Sequence, residues 1–146
     1  MNSLLKTVLE TLIISAILLL SVSVAKAEVA LVVSVDSKLT TYDEHAISSL
    51  YLAKIKTLPE VGRIVPMDLP EDNPTKKAFY LGLMKKSPDQ IRSYWSRLIF
   101  TGQSSPPEVM ADDQEMAHFI HRNPDTIGYV DSSSVNDTLR VLHLFP

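Results

Sequence analysis

Polar residues follow residues 64–67, a short apolar segment that predicts a strand, and their types suit the binding of an anion. Asn73 precedes Pro74, a pair that predicts an N-cap and the first residue of a helix. Free backbone N–H groups at a helix start attract anions, but carboxylates in the turn oppose one and prolines donate no N–H. The segment is consistent with an anion site, a degenerate anion site, or a turn alone. Its polar side chains are Asp68, Glu71, Asp72, Asn73, Thr75 and Lys76.

No other segment carries a recognisable catalytic pattern. The chain has no G-x-S-x-G motif, no P-loop and no G-x-G-x-x-G motif. Glu115, His118 and His121 have spacing that could place three zinc ligands on one helix face, but no fourth ligand is evident. We therefore interpret these three residues as part of a solvated polar helix face and not as a zinc site. We therefore expect neither an enzyme nor a metal site.

Charge and cysteine content exclude several classes of protein. Residues 28–146 hold 12 basic and 16 acidic residues, a net charge of −4, once Lys6, Lys26 and Glu10 are set aside. A general nucleic-acid binder needs a basic face, so we expect no nucleic-acid partner. The chain has no cysteine, which excludes a disulfide, a thiolate metal site and a lipoprotein anchor.

The first 27 residues predict a cleavable signal peptide. An apolar run over residues 11–24 precedes Ala25-Lys26-Ala27, and the run is short for a transmembrane helix. We expect cleavage after Ala27 and a periplasmic location, with an uncleaved membrane anchor as the alternative. The remaining residues, 28–146, are expected to form a single domain.

Strand and helix signals alternate along residues 28–146. Residues 29–35 are nearly all apolar and β-branched, which predicts a strand buried on both faces of a parallel sheet. Thr41 and Glu44 have capping-box spacing ahead of an apolar helical face. Further predicted elements are helices that begin at Asn73, at Ser87 and at Asp112, and strands over residues 63–67, 126–130 and 139–145.

This alternation predicts an α/β fold with a mostly parallel sheet covered by helices. Ligands of open α/β sheets bind at the carboxyl ends of the strands. We therefore expect Ser37, Gly128 and Tyr129 to lie near the turn over residues 71–76.

Four segments, in this order, resemble the phosphate-binding proteins of ABC transporters. Residues 39–54 are similar to their L-T…I-F-L-G-K segment, and residues 64–79 lie where they have a strand, a phosphate loop and a helix. Residues 94–102 and 125–130 are similar to their later region, which ends in P-G-A-I-G-Y-V. The resemblance implies one lobe of a type II periplasmic-binding-protein-like fold. These relatives have two lobes and are more than twice as long as residues 28–146.

The phosphate loop of the family, R-S-D-G-S-G-T, falls on residues 69–75 with several changes. Leu69 takes the place of the arginine, so a bidentate charge partner is lost. Asp72 and Pro74 replace the two glycines. Glu71 stands at the aspartate that, in the family, accepts a proton from the bound phosphate. Two donors are retained at family positions: Asn73 and Thr75.

The resemblance implies an exported solute-binding protein that binds phosphate or another small anion without covalent chemistry or a cofactor. The alternative is a non-catalytic interaction module that has lost phosphate binding and docks on a membrane transporter, a sensor or a copy of itself. The lost arginine and glycines favour this module, and the retained donors favour anion binding. The expected ligand-binding residues are Ser37, Glu71, Asn73, Thr75, Lys76, Gly128 and Tyr129.

Overall fold

The structure, a computed structural model, describes residues 2–8, 10 and 27–146. Residues 2–8 and 10 are helical and exposed. Most of the predicted signal peptide, including its apolar run, lies outside the described residues, so its cleavage stays a prediction. Within the described part of the chain, no helix is both long enough and apolar enough to cross a membrane.

Strands and helices alternate over residues 29–145. The strands are β1 (Val29–Ser34), β2 (Thr57–Leu58), β3 (Gly62–Arg63), β4 (Val65–Asp68), β5 (Glu108–Val109), β6 (Thr126–Asp131) and β7 (Leu139–Phe145). The helices are α1 (Glu44–Tyr51), α2 (Pro74–Met84), α3 (Pro88–Phe100) and α4 (Asp113–Arg122), and a short 3-10 turn covers Ser132–Ser134.

The main sheet has five strands in the order β5-β4-β6-β1-β7. β4 is parallel to both β5 and β6, whereas β1 is antiparallel to β6 and β7. Four strands therefore run in one direction and β1 runs against them, which confirms an α/β fold with a mostly parallel sheet. β1 is buried along its whole length, as predicted, but its expected parallel pairing is wrong.

Helices cover both faces of this sheet. On one face, α4 packs so closely on β6 that a Cβ added to Gly128 would lie 2.5 Å from Sδ of Met116. On the other face, the Tyr129 ring of β6 stacks on Phe79 of α2 at 3.9 Å between centroids, and Tyr51 of α1 meets the same Phe79 ring edge-on. The core therefore lies in two layers, one on each side of β6 and β1.

Local start signals decide where the helices begin. Asn73 caps α2 and Ser87 caps α3, as predicted, and the structure adds a complete capping box between Ser87 and Gln90. α1 differs, because Asp43 accepts the capping hydrogen bond from Ala46 N at 2.7 Å and Thr41 does not. The β2–β3 hairpin and β5 were not predicted, since each of these strands has only two residues.

Candidate functional site

The carboxyl ends of β4 and β6 meet at one edge of the sheet, because the two strands are parallel with Val65 opposite Thr126. α2 begins six residues after β4 ends, and Asn73 Oδ1 accepts a hydrogen bond from Thr75 N at 2.9 Å. The polar turn that the sequence singled out therefore lies at the edge where ligands of such sheets bind. We call residues 68–76 the junction.

Asp68, the last residue of β4, is the buried centre of the junction. It is 2% exposed, and its carboxylate accepts hydrogen bonds from Leu69 N at 2.9 Å, Tyr80 OH at 2.9 Å and Tyr129 OH. Lys76 Nζ lies 3.1 Å from Asp68 Oδ2. A buried charge is tolerated when it is paired and hydrogen-bonded, and Asp68 is both.

Aromatic side chains enclose this carboxylate. Tyr80 and Tyr129 donate to it directly, and Tyr51 donates to the backbone carbonyls of Met67 and Ile127 beside it. Burial raises the pKa of each of these three tyrosines well above its ordinary value, and the Asp68 charge raises it further. All three hydroxyls therefore stay protonated at neutral pH and remain donors.

A second carboxylate takes donors at the same edge. Asp113, in the first turn of α4, accepts from Asp131 N at 2.7 Å and from Asn73 Nδ2 at 3.4 Å. The Asn73 side chain is thus engaged at both ends, since its oxygen caps α2. This arrangement ties the N-terminus of α2 to that of α4 across the ends of the strands.

On its outer side, the junction makes fewer hydrogen bonds. Arg92 of α3 reaches across to Glu71, with Nη1 to Oε2 at 3.1 Å, and both side chains are more than half exposed. In the described part of the chain, the backbone N–H groups of Glu71 and Asp72 and the hydroxyl of Thr75 donate no hydrogen bond. These three donors are available to a solute, whereas the Arg92 guanidinium already pairs with the carboxylates of Glu71 and Asp89.

The structure does not bring all the predicted site residues together. Ser37 lies at the opposite edge of the sheet, because β1 runs against β6 and ends beside the start of β7. Its expected position near the turn is therefore wrong, and its hydroxyl accepts from Leu39 N at 3.2 Å. Gly128 lies under α4, where it allows close packing, and Tyr129 faces the buried side of the junction. Four predicted residues do lie in the junction: Glu71, Asn73, Thr75 and Lys76.

The junction encloses little empty space. The cavity between α2 and α3, lined in part by Glu71, Lys76 and Tyr80, has a volume of about 10 Å³. This is about the room that one water molecule needs. An anion the size of phosphate would therefore bind on the outer surface of the junction rather than inside the lobe.

Sequence reasoning missed several residues of the site. The sequence does carry a signal for Asp68, since it is a charged residue between the apolar residues Met67 and Leu69 at the end of a strand. Such a position predicts burial, and a buried carboxylate needs nearby donors. Arg92 gave no such signal, since its partner Glu71 lies 21 residues away in the chain. Asp68 was named among the polar residues of the turn, but its buried role was missed, and so were Tyr80, Arg92 and Asp113.

Known structures share this fold. No family model and no curated protein sequence matches the chain. A phosphate ABC transporter substrate-binding protein with bound phosphate from Clostridium perfringens is similar over 80% of this chain and 45% of its own, with 17% identity and a TM-score of 0.62. An ABC-type phosphate transport receptor from Vibrio cholerae is similar over 80% of this chain and 46% of its own, with 16% identity and a TM-score of 0.60. PstS from Borrelia burgdorferi is similar over 80% of this chain and 47% of its own, with 16% identity and a TM-score of 0.54.

These similarities confirm at the level of fold the resemblance seen in the sequence. The chain has the fold of one lobe of a type II periplasmic-binding-protein-like structure. It spans less than half the length of the solved structures it matches. These neighbours are solute-binding proteins, not enzymes.

Proposed function

We propose that this chain is an exported binding protein, without enzymatic activity, that holds phosphate or another small anion on the outer side of the junction. One observation carries the proposal: the backbone N–H groups of Glu71 and Asp72, in the turn just before α2, and the Thr75 hydroxyl, in the first turn of α2, donate to nothing else among the described residues. A helix N-terminus with free donors favours negative charge.

Two features support an anion in particular. The protein from Clostridium perfringens that shares this fold holds phosphate. In addition, Arg92 brings a guanidinium to the turn from α3, although the turn itself has Leu69 where the family has arginine. A guanidinium matches the geometry of phosphate oxygens, so Arg92 can bind an anion with the N–H groups that its ion pairs with Glu71 and Asp89 leave unused.

The charges of the junction predict a weak affinity for a small anion. Lys76 is engaged by Asp68, and the carboxylates of Glu71 and Asp72 repel a dianion. A few exposed hydrogen bonds of about 1 kcal/mol each and one shared guanidinium contribute little beyond the cost of association. We expect a dissociation constant on the order of 1 mM, equivalent to about 4 kcal/mol.

Calorimetric titration of the full chain with phosphate, and with sulfate for comparison, tests this proposal. We expect saturable heat, and Thr75→Val should weaken binding up to about tenfold because it removes one donor. Arg92→Gln should weaken it as much or more. Thr57→Val, the same change at an exposed threonine of β2, is the matched control and should leave binding unchanged. No heat from a folded protein at tens of millimolar phosphate would contradict anion binding.

The interaction module is the second candidate, and the closed junction favours it. Asp68 and Asp113 already occupy the inner donors, and the C-terminal end of α3 presents Ile99 and Phe100, which are 56% and 92% exposed. Sedimentation equilibrium of the full chain and of Phe100→Ser tests self-association. An oligomer that dissociates in the variant supports the module, and a monomer in both excludes self-association through Phe100.

A further inference from the structure

The Asp68 carboxylate occupies the inner half of the junction as an anion would. Leu69 N, Tyr80 OH, Tyr129 OH and Lys76 Nζ all point to it, three of them at 2.9 to 3.1 Å. One backbone amide, two hydroxyls and one ammonium form a donor set that suits a tetrahedral oxyanion as well as a carboxylate. The chain supplies the anion from the last residue of β4.

Lys76 shows the consequence for an external ligand. Its side chain is 14% exposed and turns inward to Asp68, although it stands in the first turn of α2 beside the free donors. Lys77, the next residue, is exposed. Of the two lysines in the first turn of α2, Lys76 is therefore neutralised within the protein.

We propose that Asp68 is a resident anion of the junction, which competes with external anions for Lys76 and the helix start and so keeps the site weak. The inference rests on the proposed function, because it assumes that anions approach this helix N-terminus. Its consequence is specific: a change that removes the Asp68 charge and keeps its shape turns Lys76 into a ligand.

Asp68→Asn is the variant that separates charge from shape. The amide oxygen can still accept from Leu69 N and Tyr129 OH, and the amide N–H can donate to the Tyr80 oxygen, so most of the hydrogen bonds survive. The Tyr80 hydroxyl proton loses its acceptor, and the attraction for Lys76 is lost. We expect calorimetry of the full chain to show phosphate binding at least tenfold tighter than in the unmodified protein, and sulfate binding tighter as well.

Two further variants identify the cause of such a gain. In the double variant Asp68→Asn/Lys76→Met the gain should disappear, because the freed ammonium is the new ligand. Asp36→Asn makes the same charge change at an exposed position just after β1, at the opposite edge of the sheet, and should change affinity less than twofold. An equal gain in Asp36→Asn would overturn the inference, since net charge alone would then explain it.

The outcomes distinguish this inference from the proposed function. Binding by the unmodified protein without a gain in Asp68→Asn overturns the inference and leaves the function standing. Binding only in Asp68→Asn supports the inference and contradicts anion binding by the unmodified protein. No binding by either folded protein overturns both.

A measurement on the unmodified protein covers the case in which Asp68→Asn does not fold. The ¹⁵N signal of the Lys76 ammonium reports its pairing with Asp68. We expect that signal to keep its position as phosphate is added. A saturable shift of the signal would mean that phosphate displaces Asp68 from Lys76, and it would overturn the inference.

Discussion

Replacing Lys76 by methionine removes the ammonium that faces the Asp68 carboxylate and keeps a side chain of similar length. Asp68 is 2% exposed, and the two charged groups lie 3.1 Å apart. Removal of one partner of a fully buried pair destabilises a protein by about 3–5 kcal/mol. Lys76 is partly exposed and Asp68 keeps three other donors, so we expect a loss of about 2–3 kcal/mol, below that range.

Urea unfolding measures this loss directly. Trp95, the single tryptophan, is 6% exposed and reports the transition by fluorescence. With a slope of about 1–2 kcal/mol per M, a loss of 2 kcal/mol lowers the unfolding midpoint by about 1–2 M. Lys77→Met changes the neighbouring exposed lysine and should stay within about 0.5 kcal/mol of the unmodified protein.

A double-mutant cycle shows whether the loss comes from the unpaired charge. Asp68→Asn combined with Lys76→Met leaves no buried carboxylate, so the double variant should be more stable than the sum of the two single losses implies, by about 1–3 kcal/mol. A loss below about 0.5 kcal/mol in Lys76→Met, or strict additivity in the cycle, would refute the claim that Lys76 neutralises Asp68.

Three other perturbations probe the packing and the hydrogen bonds around the junction. Gly128→Ala places a Cβ 2.5 Å from Met116 Sδ, so we expect the free energy of unfolding in urea to fall by about 1–3 kcal/mol. An unchanged unfolding midpoint would mean that α4 packs less closely on β6 than described. Tyr129→Phe removes a buried hydroxyl that donates to Asp68 and accepts from Leu69 N, and it should lower the free energy of unfolding by about 1–3 kcal/mol. Tyr42→Phe, near the surface, should lower it by less than about 0.5 kcal/mol. Equal effects of the two changes would contradict the buried network. Burial, reinforced by the Asp68 charge, raises the pKa of Tyr51, Tyr80 and Tyr129, so the unfolded chain loses these protons near pH 10 while the folded chain keeps them. Their contribution to the free energy of unfolding is therefore constant below about pH 10 and falls as pH rises above it. The tyrosinate absorbance of these three among the five tyrosines should appear together with unfolding, and reversible ionisation of all five near pH 10 in the folded protein would contradict this.

Features set by neighbouring residues in the chain were predictable from sequence. The Asn73-Pro74 pair and the Ser87–Gln90 capping box each mark a helix start within a few residues, and both helices begin there. β7 matches its predicted bounds because its apolar and polar residues and its flanking turn are local signals.

Features set by distant residues were not predictable in this way. The buried run of β1 fits either orientation in a sheet covered on both faces, so its antiparallel pairing, and with it the position of Ser37, depended on the fold of the whole chain. The partners of Asp68 include Tyr129, 61 residues away, which no local pattern reveals. Residue type therefore located the junction, and tertiary contacts determined which of its donors remain free.

The most direct test of the account is an amide NMR titration of the unmodified protein with phosphate. We expect saturable shifts of the Glu71 and Asp72 amides, which lie on the outer side of the junction and donate no hydrogen bond among the described residues. The Leu69 amide, which Asp68 and Tyr129 hold, should not move. Shifts at Leu69, shifts confined to residues outside the junction, or no shifts at tens of millimolar phosphate would contradict a small-anion site on the outer side of this turn.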